Sequence, residues 1–204
     1  ERDPDDVAGL ELLDASHPAQ NARHGLTKQQ RDDLMSSVET QITVVKWLKR
    51  FGVLEVFNPL TAGDLQSYPE DVRGQLEYLS KQSASLDTAL LEIAGFDKAA
   101  EQAAQNKSLG DRPIIVVSAT EPMQDGILPE GVSKEKAQAS FVKLHEEITG
   151  LSTNGKHIRI ETANHMSLIT NKDNAEKAVP YIIEVVQQAA NRKKPIDSES
   201  PTKP

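Results

Sequence analysis

The stretch that decides the fold is Asp111-Arg112-Pro113-Ile114-Ile115-Val116-Val117-Ser118. Its centre, residues 114–117, is β-branched throughout and contains no polar residue. Such a run is typical of a strand that is covered on both faces, as in a parallel sheet with helices on each side. We therefore predict a strand that is buried on both faces and begins just after Arg112-Pro113.

Two other short apolar runs predict a strand before and a strand after this one. The earlier run, Leu10–Leu13, stops at Asp14-Ala15-Ser16-His17-Pro18, where small and polar residues before a proline indicate a strand end that opens into a loop. The later run, His157–Ile160, follows the turn signal Asn154-Gly155. Strands therefore alternate with helical sequence, which predicts an α/β fold with a parallel sheet and right-handed crossovers.

Between the first two predicted strands, residues 27–105 show helical periodicity. Thr27 forms a predicted capping box with Gln30, apolar residues then recur at steps of three and four, and Gly52 is the predicted stop. Two further helices are predicted in this region, one opened by Ser67-x-x-Glu70 with Pro69 in its first turn, and one that carries Leu86, Leu90, Ile93 and Phe96 and runs to about Gln105.

Two more helices flank the third predicted strand. The first follows Ser133 and places on one face Ala137, Phe141, Leu144 and Ile148. The last helix of the chain is limited by Pro180. Either it begins near residue 177, which puts Pro180 in its first turn, or it kinks at the proline.

The composition excludes several classes of function. The net charge is −8, and phosphate binding needs a basic surface, so we expect no nucleic-acid partner. The absence of cysteine excludes disulfides, thiolate metal sites and a cysteine nucleophile. No apolar run is long enough to predict a transmembrane helix, and no signal peptide is recognisable. Because the chain opens with Glu1, we expect the native N-terminus to lie upstream, and we favour a cytoplasmic location.

Five segments of the chain resemble the α/β-hydrolase family. Asp3–Gln20 is similar to the segment that runs through the sixth sheet strand toward the cap, residues 27–105 to the helical cap, and Asp111–Ser118 to the seventh strand. Leu144–His157 resembles the helix and turn before the eighth strand, and Glu161–His165 resembles the loop of the catalytic histidine. The resemblance implies the C-terminal part of an α/β-hydrolase parallel sheet with an inserted all-helical cap.

The same resemblance implies a division of the chain. Residues 1–20 and 106–190 are expected to form the sheet-and-helix portion of the hydrolase fold. Residues 21–105 are expected to form the helical cap. Residues 191–204 are rich in Lys, Ser, Pro and Asp, which predicts a disordered tail.

The resemblance also implies a catalytic base and its acid. His165 stands at the family position of the base, in a loop between the last strand and the last helix, although Ala163 and Asn164 replace the usual small glycines. The family keeps the acid after its seventh strand, which here offers Glu121 and Asp125, or after its sixth, which offers Asp14. For Asp14 the competing interpretation is a turn or capping carboxylate.

The serine nucleophile of the family has no counterpart in this chain. The family motif Gly-x-Ser-x-Gly does not occur, and the nearest approach, Gly150-Leu151-Ser152, lacks the second glycine. We therefore do not assign Ser152 as a nucleophile. No cofactor and no metal are expected, because His17 and His24 lack the spacing of ligands on a helix.

Two functions follow from these residues. In the first, the chain is part of a serine hydrolase that cleaves an ester or related acyl bond in a small apolar substrate. The N-terminal half of the fold supplies the nucleophile, so the isolated chain is inactive. In the second, the chain is a truncated or degenerate relative that binds a ligand or a partner, such as a second copy, through its helical cap and an exposed sheet edge. The segment Lys46–Phe51 favours packing within the cap over contact with a membrane.

Overall fold

The computed structural model describes residues 6–23, 27–56, 68–122 and 133–192. Its centre is a three-stranded parallel sheet in the order β1-β2-β3. The strands are β1 (Leu10–Leu13), β2 (Ile114–Ala119) and β3 (Gly155–Ile160). The prediction of an α/β fold with a parallel sheet is thus confirmed, and β2 and β3 are each two residues longer than predicted.

Eight helices surround or extend this sheet in the described part of the chain. They are α1 (Gln20–Arg23), α2 (Lys28–Arg50), α3 (Val53–Val56), α4 (Glu70–Ser80), α5 (Ser83–Ala103), α6 (Lys134–Thr149), α7 (Ser167–Thr170) and α8 (Lys172–Arg192). The helices α2 to α5 all fall in the region that we predicted as helical.

The central strand is buried on both faces, as its β-branched sequence predicts. Ile114 and Val116 pack with Ile148 of α6 on one face. Ile115 and Val117 pack on the other face with a cluster that includes Val185 of α8. Since successive side chains of a strand point to opposite faces, the four consecutive apolar residues fill both layers.

The turn before β3 depends on a glycine. A side chain at Gly155 would collide with the carbonyl group of Thr149 at the end of α6. Only glycine allows the chain to return this closely past the helix that precedes it. The predicted turn signal Asn154-Gly155 therefore sets where the third strand begins.

The helices α2 and α5 have a small core of their own. Val45, Leu54 and Leu86 are buried there, with Leu48 packed against them. Within the segment Lys46–Phe51, Leu48 packs against this core. Trp47 and Phe51 instead stack on each other at the surface, where they are 56% and 73% exposed. One face of this segment therefore packs against the neighbouring helices, and the other is exposed.

Three helix boundaries differ from the predictions or were left open by them. Helix α8 begins at Lys172 and Pro180 lies in its interior, so the first of the two alternatives, a start near residue 177, is excluded. Pro69 is the N-cap of α4 rather than a residue of its first turn, and Ser67 lies outside the described residues. Helix α8 also extends two residues into the predicted tail 191–204, and the Arg192 guanidinium donates to Asp111 at 2.6 Å, whereas residues 193–204 lie outside the described residues.

The predicted capping box at the start of α2 is present. The Thr27 hydroxyl accepts from the Gln30 amide, and the Gln30 side chain accepts from the Thr27 amide. We expect Thr27→Ala to lower the free energy of unfolding by about 0.5–2 kcal/mol, because the Gln30 N–H in the first turn of α2 loses its acceptor. Urea denaturation followed by circular dichroism measures the change. Thr27→Ser keeps the hydroxyl and is expected to remain near the wild type, and an equal loss in both variants would contradict the capping interpretation.

Candidate functional site

Asp14 stands immediately after β1 and is held from two sides. Its backbone amide donates to the Val117 carbonyl at 2.7 Å, and its Oδ1 accepts from the Ala119 amide at 2.9 Å. Its φ of 46° lies in the left-handed region, which aspartate tolerates better than most residues. The side chain is 5% exposed. The carboxylate is therefore buried at the end of the sheet, in a fixed orientation.

The second carboxylate oxygen of Asp14 contacts His165. The distance from Asp14 Oδ2 to His165 Nδ1 is 2.9 Å, and the two residues are 151 positions apart in the chain. A carboxylate only accepts, so the neutral ring carries its hydrogen on Nδ1 and leaves Nε2 with a free lone pair. The His165 side chain is 70% exposed. His165 Nε2 is thus a proton acceptor on an exposed ring whose other nitrogen is hydrogen-bonded to a buried carboxylate.

Hydrogen bonds from polar side chains and a buried alanine hold the loop that carries His165. Asn164 Oδ1 accepts from the Ser167 amide at 2.9 Å and so begins α7 directly after the histidine. Ala163 is fully buried, which excludes a large side chain at that position. Asn174 of α8 donates to the Thr162 carbonyl at 3.0 Å. The departures from glycine at 163 and 164 are therefore accommodated by this loop.

The other two acid candidates are placed differently. Glu121 Oε2 accepts from the Asn164 side chain at 2.8 Å, so this carboxylate orients the loop and is not the partner of His165 Nδ1. Asp125 lies outside the described residues. Of the candidates that the structure describes, Asp14 is the one in contact with the histidine.

The remaining candidates from the sequence have structural contacts. The Ser152 hydroxyl donates to the Arg112 carbonyl at 2.5 Å and accepts from the Asn154 amide, which fixes the turn before β3. His17 Nδ1 accepts from the Ala19 amide at 2.9 Å, and His24 lies outside the described residues. Within the described ranges, no cluster of three or more His, Asp or Glu side chains is arranged to hold a metal ion.

A buried polar cluster on the face of β2 that packs against α6 was not predicted. The Ser118 hydroxyl lies 2.5 Å from His145 Nδ1 and 2.6 Å from His157 Nε2. His145 Nε2 in turn lies 2.8 Å from the carbonyl of Ala15. Burial lowers the pKa of both histidines below the usual 6.5. Ser118 is fully buried, so a substrate cannot reach it, and this serine is not a nucleophile despite its two imidazole neighbours.

The sequence carried a weak signal for this cluster. His145 follows Leu144 within the apolar stripe of α6, where a polar side chain needs a buried partner. The partners come from β2 and β3, and only the folded sheet brings them together.

A groove of about 810 Å³ lies beside β1 on its α6 side. Its walls are mostly apolar and include Leu10, Leu12, Leu109, Ile148 and Leu151. On the opposite face of the sheet, α8 exposes a second apolar stripe, formed by Val179, Ile182, Ile183 and Val186. The two layers that flank β1 are thus incompletely covered by the described residues.

Comparison with known proteins assigns no family to this chain. A scan against protein-family models, a search of curated proteins and a search of solved structures each found no match. Among the described helices, none is sufficiently long and apolar to cross a membrane. The chain is therefore characterised here by its three-stranded parallel α/β sheet and by the buried Asp14 carboxylate that supports the exposed ring of His165.

Proposed function

We propose that this chain supplies the base and the acid of a serine hydrolase that cleaves an ester or related acyl bond. The hydrogen bond between His165 Nδ1 and Asp14 Oδ2 carries the proposal. A buried carboxylate that fixes the tautomer of an exposed imidazole is the arrangement that general-base catalysis on a hydroxyl nucleophile requires. The nucleophilic serine comes from a polypeptide segment outside this sequence.

In the proposed reaction, His165 Nε2 takes the hydroxyl proton as the serine oxygen attacks the acyl carbon. The resulting imidazolium is stabilised by Asp14, which remains ionised. The proton then passes from Nε2 to the leaving alkoxide, and an acyl-enzyme remains. A water molecule attacks this ester, gives its proton to Nε2, and the proton returns to the serine as the acid product leaves.

The edge of the sheet supports the proposal that another segment completes the fold. Leu10 and Asp14 donate their amides toward β2, so the alternate residues Glu11 and Leu13 direct their backbone groups away from it. None of the described strands pairs with that edge of β1. An open edge flanked by two uncovered apolar layers is a surface that favours association with another β-strand and its helices.

A buried carboxylate at the same edge points to the same conclusion. Glu11 Oε1 is buried without a hydrogen-bond partner among the described residues. Its burial raises the pKa of the Glu11 carboxyl above the usual 4.5. An unpaired buried oxygen is costly, and a donor from an added segment would satisfy it.

A fluorophosphonate probe tests the proposed activity. We expect it to label a serine outside these 204 residues when the chain is present with its natural partner or within its longer polypeptide. Labelling is expected to fall strongly in His165→Ala, because the serine loses its base. Met166→Ala changes the neighbouring exposed residue and serves as the matched control. Labelling that is absent, or that does not depend on His165, would exclude this mechanism.

The second candidate function is a binding module without catalysis. The apolar stripe of α8 favours it, because this stripe exists independently of His165. In that case, Ile183→Glu would abolish association with the partner, as measured by sedimentation velocity, while His165→Ala would change neither association nor any measurable activity.

A further inference from the structure

The buried cluster at Ser118 connects directly to the loop that holds Asp14. His145 is fully buried in the middle of α6, and its ring packs against Phe141 with 4.3 Å between ring centres. Its Nε2 reaches the carbonyl of Ala15, the residue after Asp14. Its Nδ1 reaches Ser118, the residue before Ala119. The imidazole thus spans the two backbone segments between which the Asp14 carboxylate lies.

The hydrogen positions in this cluster follow from its acceptors. The Ala15 carbonyl can only accept, so His145 carries a hydrogen on Nε2. A neutral His145 then accepts at Nδ1 from the Ser118 hydroxyl. Since that hydroxyl has one hydrogen, Ser118 must accept from Nε2–H of His157. The donors run in one direction, from His157 through Ser118 and His145 to the Ala15 carbonyl.

The residues next to Ser118 and Ala15 also fix the orientation of Asp14. The amide of Ala119 donates to Asp14 Oδ1, and the backbone of Asp14 is held at a φ of 46°. Aspartate tolerates the left-handed conformation better than most residues, and the contacts of the Asp14 amide and carboxylate hold it there. The hydrogen bond to the Ala15 carbonyl restrains the chain immediately after this residue, so it opposes relaxation of Asp14 away from His165.

We propose that His145 is a positioning residue for the Asp14–His165 pair, which it orients through its contacts with the Ala15 carbonyl and with the side chain of Ser118, the residue before Ala119. A role of His145 in catalysis rests on the proposed function. The structural content of the inference concerns only the geometry of Asp14 and His165, so it is testable without any activity.

The charged and titratable groups around the cluster favour the neutral rings that it needs. His145 faces Asp14, His17 and His157. His157 also faces Arg159 and Glu146. Burial is the largest influence on both rings and lowers both pKa values, so both are neutral above pH 6.5. A proton added to His145 Nδ1 would remove the acceptor for the Ser118 hydroxyl and break the directed chain.

Nitrogen-15 NMR of the imidazole rings at pH 8 tests the proposal, because carbon-bound ring protons report which nitrogen carries hydrogen. In the wild type we expect His165 to be a single Nδ1–H tautomer, and His145 and His157 to be Nε2–H tautomers. His145→Phe fills the space without hydrogen bonds, and in it we expect His165 to shift to a mixture of tautomers. His145→Gln can still donate to Ala15 and accept from Ser118, so it is expected to restore the single form.

The matched control separates positioning from stability. Leu144→Ala removes an equally buried neighbour on α6 and destabilises the fold without touching the chain of hydrogen bonds. We expect His165 to keep its single tautomer in this variant. The proposal is overturned if His145→Phe leaves the His165 tautomer unchanged, or if Leu144→Ala disturbs it equally. Failure of the serine labelling would overturn the proposed function and would leave this NMR result intact.

Acid titration provides a second measurement on the same variants. A histidine whose pKa is lowered by folding stabilises the protein above 6.5, and this stability is lost as the pH falls through the lowered pKa. His145→Gln removes one such group. We therefore expect the free energy of unfolding to decline less steeply below pH 6.5 than in the wild type, and an unchanged slope would argue against a neutral, buried His145.

Discussion

If the proposed hydrolase activity is correct, Asp14→Asn is expected to lower its kcat by about 10³–10⁴-fold while leaving the fold intact. The asparagine oxygen can still accept from the Ala119 amide, so the backbone contact is kept. Its amide group, however, donates toward His165 Nδ1 and forces the ring hydrogen onto Nε2. That nitrogen must accept the proton of the nucleophile, so the histidine would be held in the unproductive tautomer.

Hydrolysis of a short acyl ester measures this effect, with far-UV circular dichroism to verify the fold. Glu121→Gln is the informative comparison, because the same acid-to-amide change is made at a carboxylate bonded to Asn164. We expect a much smaller loss there, since an amide oxygen can still accept from Asn164. If Glu121→Gln loses as much activity as Asp14→Asn, or if Asp125→Asn does, then Asp14 is not the acid of the pair.

Leu168→Ala is expected to cost about 2–5 kcal/mol of the free energy of unfolding. Leu168 lies three residues after His165 in α7 and is only 2% exposed within the cluster between the sheet and α8. The shortened side chain leaves a cavity that the surrounding β2 and α8 residues fill only in part. The helix that anchors the His165 loop would lose its main apolar contact, so activity is expected to fall as well.

Its neighbour provides the control for this prediction. Ile169 is 58% exposed, and removal of its side chain at the surface is expected to change stability by about 0.5 kcal/mol or less. Urea denaturation of Leu168→Ala and Ile169→Ala under identical conditions measures both. Similar losses in the two variants would mean that α7 does not pack on the sheet as described.

The sheet was predictable because its signals are local. The β-branched run at Ile114–Val117 is buried on both faces, and the shorter run Leu10–Leu13 matches β1 at both ends. The capping box at Thr27 was recognisable for the same reason, since its two partners lie within one helical turn. For α8 the sequence left open whether the helix starts near residue 177 or continues through Pro180, and the structure shows that it continues through the proline.

The arrangement at the site was predictable only in part. Asp14 and His165 could each be selected from their positions after a strand, but so could Glu121 and Asp125. That Asp14 rather than Glu121 contacts His165 depends on the parallel register Leu13↔Val117, which brings the end of β1 beside the end of β2 and the loop after β3. Asp125 lies outside the described residues. The cluster at Ser118 was missed because its three side chains belong to three different elements.

The amino-acid sequence by itself determined the alternation of strands and helices and the identity of the buried central strand. These properties depend on residues that are neighbours in the chain, and their periodicity is visible without a structure. The tertiary structure alone decided that Asp14 supports His165, that Ser118 is buried between two histidines, and that the edge of β1 is open among the described strands. These properties depend on the order and register of strands separated by long stretches of chain, which no local pattern specifies.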